Sequence, residues 1–166
     1  MFTKSLALSH VDYCVPIWAH SLNSSDIYKL DKLIFNALKN IPCYTLNNFK
    51  TRNMFDLFEK ADVLSFDERS TLYLLKFVYN AVILNSNLCS MLTTYLQKTV
   101  GTENSRLGLM FHVPRLTTTA GQKSPHYAAI TKWNKLPSDI KNSENIDQFD
   151  REVRQYLVMK RSELYS

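Results

Sequence analysis

Glycine and proline are scarce in this chain, with 3 and 5 of 166 residues. A β-sandwich or barrel needs turn formers about every ten residues, so that class is disfavoured and a mainly helical fold is expected. No run reaches the roughly 18 consecutive apolar residues of a membrane span. The opening "MFTKSLALSH" turns polar too soon for a signal peptide. Cysteines number 3 (Cys14, Cys43, Cys89), an odd set at wide spacing. They suit reduced thiols inside the cell, in cytoplasm or nucleus, better than a disulfide framework. Catalytic signatures are missing as well. There is no P-loop glycine pattern, GxSxG or HExxH. Two-metal catalysis needs converging carboxylates, and the only adjacent acids, Asp67 and Glu68, stand where a helix start explains them. No catalytic residue, metal ligand set or small-molecule site is assigned.

What the chain does have is apolar surface: 45% hydrophobic residues, with 9 Phe, 9 Tyr and 2 Trp, enough for a core in one domain or one domain with a tail. Helical spacing recurs along it. A first helix is expected over residues 3–13, interrupted by Pro16. Asp26 is the expected N-cap of a second, whose stripe is Ile27, Leu30, Leu33, Ile34, Ala37, Leu38 and Ile41, ended by Pro42. A third covers about Asn53 to Ala61. Ser65 and Glu68 form a capping box for the strongest helix, about 66–84, with Leu72, Leu75, Val78, Tyr79 and Val82 on its buried side. A short helix is expected near 87–97. From there to about 127 periodicity fades into a loop-rich, extended segment containing "VPRLTTTAGQKS". Helix resumes near Ala128–Trp133, "LPSDI" marks a turn, and Asn145 with Gln148 caps an amphipathic last helix bearing Ile146, Phe149, Val153 and Leu157. The expected architecture is a bundle of about five or six helices, with a thumb-like region 1–97 and a second region 98–166 packed as one unit with it.

Net charge is +5, and it is local. Lys98, Arg106, Arg115, Lys123, Lys132 and Lys135 share their segment with a single acid, Glu103. Six cations against one acid equal the whole excess. Such a segment suits an anionic partner, most commonly nucleic acid, or is a solvated loop. Tyr127, His126 and Phe111 lie among these cations and are candidates for base stacking. Trp133, near Leu136 and Ile140, is expected to anchor the segment to the helical body, and Asn134 to turn or cap the chain.

The stretch "SHVDYCVPIW" (residues 9–18) gathers a histidine, a carboxylate, a thiol and an indole. His10 and Cys14, four apart, make half of a zinc site, but Cys43 and His20 supply no second close pair. Asp12 lacks the second carboxylate that metal catalysis requires. Tyr13, Pro16 and Trp18 read as a helix end, a break and an anchor.

Taken in order, these motifs resemble the C-terminal thumb and post-thumb region of reverse transcriptases from non-LTR, LINE-type retrotransposons of the jockey-like kind. The likeness rests on Ser9, Val11, Asp12, Tyr13, Cys14, Pro16 and Trp18, followed by "IYKLDKLIFNALKNI" and "FDERSTLYLLKFVYNAVI". Its most specific part is Arg106, Val113-Pro114, Thr118, Gly121, Ser124, Tyr127, Trp133-Asn134, Leu136-Pro137 and Ile140, closed by Phe149, Tyr156 and Leu157. The chain departs from the family pattern at Thr117, Pro125 and Lys132. Asp150 and Glu152 stand where lysines are typical, which lowers the charge expected of the last helix. The resemblance implies a non-catalytic part of an RNA-directed DNA polymerase that helps to hold template RNA or target DNA without sequence preference. The fingers and palm would be its partners, and the catalytic aspartates and Mg would belong to that palm. No cofactor is implied for this chain. Ser9, Asp12, Tyr13, Pro16, Trp18, Pro114, Gly121, Trp133, Asn134, Pro137 and Phe149 would serve as structural motif residues. The competing expectation is a helical protein-interaction module, or a decayed or domesticated element fragment, without nucleic-acid binding.

Overall fold

A computed structural model describes residues 8–41, 54–83 and 109–165, and the fold is mainly α-helical. The expected helix at 87–97, together with Lys98 and Arg106, lies outside the described residues. The chain divides into two compact units, Met1–Ser70 and Thr71–Ser166. The division falls inside the strongest helix, not near residue 97.

In the first unit, residues 8–12 are helical and Cys14 breaks the helix with a left-handed backbone, φ 52°. Helix α1 (Val15–Trp18) restarts with Pro16 in its first turn, where a missing N–H costs nothing. A 3-10 turn over Ala19–Ser21 leads to helix α2 (Ser24–Lys39). Its N-cap is Asn23, whose side chain accepts from the Asp26 backbone N–H at 2.9 Å. Asp26, expected as the cap, instead sits in the first turn, where its charge favours the helix dipole. Ile34 and Leu38 are buried as the stripe requires, whereas Leu33 is 60% exposed. The third position on that buried face is an acid. Asp31 precedes Ile34 by three residues and Leu38 by seven, is buried, and accepts from the Phe66 backbone N–H at 2.7 Å.

Helix α3 (Met54–Lys60) buries Leu57 and Phe58. It ends in a Schellman turn: Val63 N–H donates to the Phe58 carbonyl at 2.8 Å, and Asp62 N–H donates to Glu59 at 3.0 Å. Asp62 holds the left-handed position of that turn, φ 50°. Helix α4 (Phe66–Val82) opens on the expected capping box, with Ser65 N–H donating to Glu68 Oε2 at 2.8 Å and Glu68 N–H directed at Ser65 Oγ at 3.4 Å. Asp31 serves a third N–H of the same helix end, one that has no partner within the helix, so the helix start is tied to α2 as well as to itself.

The second unit is built on aromatic rings. Tyr79 of α4 stacks on Phe149 at 4.4 Å between centroids, Phe149 on Trp133 at 6.1 Å, and Trp133 lies 6.0 Å from Phe111. Trp133, Phe149 and Tyr79 are wholly buried. Each such ring removes roughly 150–250 Å² from water, an upper-bound gain of about 4–6 kcal/mol before conformational entropy is subtracted. The buried Tyr79 hydroxyl donates to the Ser143 carbonyl at 2.6 Å, and burial raises its pKa. Helix α5 (Thr119–Gln122) is a single turn, followed by α6 (Pro125–Asn134), the short α7 (Ser138–Lys141) after Pro137, and α8 (Ile146–Tyr165). Asn145 caps α8 as expected, accepting from Gln148 N–H at 2.8 Å. Phe149, Val153 and Leu157 form its buried side. Among the described residues no helix is long and apolar enough to cross a membrane.

Candidate nucleic-acid interface

The basic segment enters the described residues at Leu109 and is held to α6 by two consecutive side chains. Trp133 Nε1 donates to the Leu109 carbonyl at 3.0 Å. Asn134 then pairs with Phe111 in both directions: its Oδ1 accepts from the Phe111 N–H at 3.0 Å, and its Nδ2 donates to the Phe111 carbonyl at 2.8 Å. One side-chain amide thus does for residue 111 what a neighbouring strand would do, satisfying both backbone groups. Phe111 is buried beside Trp133, so the side chain proposed for base stacking belongs to the core.

Beyond this clamp the chain runs out through His112, Val113 and Arg115, all exposed, and turns back at α5. Thr118 caps that turn, accepting from Gly121 N–H at 3.2 Å. Gln122 Nε2 donates to the Leu116 carbonyl at 3.0 Å. The turn is therefore closed on itself, and Arg115 and Lys123, both exposed, flank the tied pair Leu116 and Gln122. Gly121 packs closely here: a Cβ at that position would lie 3.0 Å from Thr118 Oγ1 and 3.4 Å from Leu116 Cδ1, so a larger residue would press on the cap. Ser124 then caps α6, accepting from Tyr127 N–H at 3.3 Å, with Pro125 in the first turn. Helix therefore begins at 125, inside the stretch expected to be extended, because the Ser-Pro pair supplies both a cap and a preset φ.

The proposed cations separate into groups. Arg115, Lys123 and Lys135 are exposed. Lys132 is half-buried and donates to Thr71 Oγ1 at 2.6 Å, so its ammonium serves the fold. Tyr127 and His126 are half-buried, and burial lowers the His126 pKa, favouring the neutral ring. Lys141 was not among the expected cations; it is buried, with its pKa lowered by that burial.

Of the motif residues near the N-terminus, Asp12 and Trp18 make side-chain contacts within the first unit. Asp12 pairs with the Arg69 guanidinium, accepting from Nε at 2.9 Å and also from Nη2. The Trp18 indole donates to the Tyr13 carbonyl at 2.8 Å and stacks on Phe66 at 5.4 Å. Ser9 and the Tyr13 side chain are exposed, Pro114 is half-buried and Pro137 exposed. Asp12 is thereby placed as a structural ion-pair partner. Among the described residues no group of three or more His, Cys, Asp or Glu is placed to hold a metal ion.

Among the pairings that sequence reading missed, Asp31 with Phe66 and Asn134 with Phe111 span 35 and 23 residues. Only Asp31 left a local signal, an acid on an otherwise apolar helical face. Comparison of the chain with protein-family models, with curated proteins and with solved structures finds no match.

Proposed function

We propose that this chain is a non-catalytic segment of a LINE-type reverse transcriptase that holds template RNA or target DNA through its phosphates. The observation that carries the reading is an acid-free stretch between Glu103 and Asp139, clamped by Trp133 and Asn134, with Arg115, Lys123 and Lys135 exposed. Fixed backbone beneath exposed cations favours phosphate contact, because less conformational entropy is lost on binding. Lys98 and Arg106 join this set by sequence. Base identity is not read; binding is sequence-independent and salt-dependent. Palm and fingers of a parent polymerase are the protein partners, its catalytic carboxylates and Mg lie in that palm, and the working compartment is cytoplasm or nucleus. The ordered motifs from Ser9 to Leu157 support the parentage.

The test is fluorescence anisotropy with single-stranded RNA and duplex DNA of unrelated sequences, across a salt series. Replacing Arg115, Lys123 and Lys135 together by Ala should flatten the slope of log K against log salt by about 2–3 on duplex DNA. An unchanged slope in the folded triple variant removes these residues from the interface.

One observation favours a second reading, a helical protein-interaction module. Tyr13, Ile17, Tyr28 and Leu33 in the first unit are 77%, 69%, 60% and 60% exposed. Side chains of that size, left in water, suit a protein surface. Exchanging Tyr13 and Ile17 for Ser would abolish partner capture under this reading and leave nucleic-acid affinity unchanged.

A further inference from the structure

Thr117 lies between the exposed cations Arg115 and Lys123 and takes no part in holding their turn together. Residues 112–117 form no helix, and exposure alternates over the last five of them: Val113, Arg115 and Thr117 face solvent, while Pro114 and Leu116 are half-buried. Such alternation belongs to an extended chain, in which residues two apart share one side at a spacing of about 6.5 Å. Arg115 and Thr117 therefore stand on the same side. The stretch is anchored at both ends, at Phe111 by Asn134 and at Leu116 by Gln122.

Thr117, Thr118 and Thr119 follow one another here, and the fold uses them differently. Thr118 Oγ1 accepts from Gly121 N–H and is committed to the cap. Thr119 is exposed but lies inside α5, where its carbonyl accepts from Lys123 N–H at 3.0 Å. Thr117 is exposed, and its hydroxyl bonds to nothing among the described residues. Of the three, it alone joins an unengaged hydroxyl to an extended backbone.

We propose that Thr117 is a phosphorylation site through which a serine/threonine protein kinase releases this face from nucleic acid. The inference rests on the nucleic-acid reading above and supplies its regulation. A kinase cleft takes its substrate as an extended chain with a free acceptor hydroxyl, and reads the charge of the flanking residues. Arg115, two residues before the acceptor, in a stretch without acids from Glu103 to Asp139, suits a kinase with an acidic subsite. In the transfer the Thr117 oxygen bonds to the γ-phosphorus of ATP and the bond to the β–γ bridging oxygen breaks. ADP leaves, and the hydroxyl proton passes to the catalytic carboxylate of the kinase.

The product weakens the face twice over. A phosphothreonine carries about −1.5 to −2 charge at pH 7, set among the exposed Arg115, Lys123 and Lys135. Its oxygens also come within reach of Arg115, and an arginine–phosphate pair is a strong, charge-assisted one. That guanidinium is then held by a phosphate of its own chain.

The test uses the full 166-residue chain, ATP and a purified arginine-directed serine/threonine kinase. Mass spectrometry should place phosphate on Thr117; Thr117→Val should remove it, and Arg115→Ala should slow its addition. On a labelled DNA duplex the phosphorylated chain should show a log–log salt slope flatter by about 1–2 and, near 0.1 M salt, affinity about tenfold weaker. Thr117→Asp, with one added charge, should move both in the same direction by less, and Thr117→Val should bind as the unaltered chain does. Phosphate found only on other residues, or on none, overturns the assignment. So does a chain phosphorylated at Thr117 that binds the duplex with unchanged slope and affinity. In either case the triple variant of Arg115, Lys123 and Lys135 still decides the nucleic-acid reading by itself. If the unaltered chain binds neither RNA nor DNA, that reading falls and this regulation falls with it.

Discussion

Asn134 is the residue on which the basic segment depends most directly. Its amide satisfies both backbone groups of the buried Phe111, and removing it strands a buried donor and acceptor together. Each unsatisfied group costs about 1–3 kcal/mol. Asn134→Ala should therefore destabilise the protein by about 2–4 kcal/mol in urea unfolding and speed protease cleavage within residues 109–117. Unchanged stability would show that the clamp contributes nothing. In the sequence, "WNKLP" points only to a turn, because nothing local links position 134 to position 111. Trp133 was legible as an anchor, since size and apolar neighbours suffice to bury it. Lys132 was not separable from Lys135 for the same reason: both are lysines in a basic stretch. Lys132, inside α6, reaches Thr71, whereas Lys135, just past its end, stands in water.

At the scale of elements, local chemistry decided most of what could be read. Ser65 with Glu68 and Asn145 with Gln148 carry their own partners three residues away, so both caps were visible in advance. Asn23 and Asp26 are both good caps three residues apart, and choosing Asp26 merely shortened the helix by one turn. The same reasoning, applied to Ser124-Pro125, would have found the true start of α6. Asp62 offers a test at this scale. It holds a left-handed conformation that costs a non-glycine residue about 1 kcal/mol, offset in part by the greater flexibility of glycine in the unfolded chain. Asp62→Gly should raise stability by up to about 1 kcal/mol in thermal or urea unfolding, and a loss of more than that would mean the Asp62 side chain supports the turn.

For the molecule as a whole, charge has two roles. Burial pushes the Asp150 carboxyl up, but hydrogen bonds and charge from Lys76 and Arg154 outweigh it and hold its pKa below the ordinary value. Glu152 is likewise held low, chiefly by hydrogen bonds from Gln148 and Ser143. A depressed folded pKa means stability fully present above the unfolded value, about 3.9 for Asp, and lost as pH falls through the folded value. Stability should decline below about pH 4, and Asp150→Asn should make that decline shallower; an unaltered acid limb would remove Asp150 as a contributor. The remaining role is outward. Helical class was legible because few glycines and repeated three- and four-residue spacing are whole-chain properties. The engagement of Asp150 and Glu152 was not, because Lys76 and Ser143, which donate to them, stand 74 and 9 residues away in the chain.

The central claim, that exposed cations on this scaffold hold nucleic-acid phosphates, is tested most directly by the unaltered chain and one labelled duplex. Anisotropy between 50 and 200 mM salt should show affinity falling at least tenfold, equally for two unrelated sequences. Flat affinity across that range, or no binding at 50 mM, would contradict it.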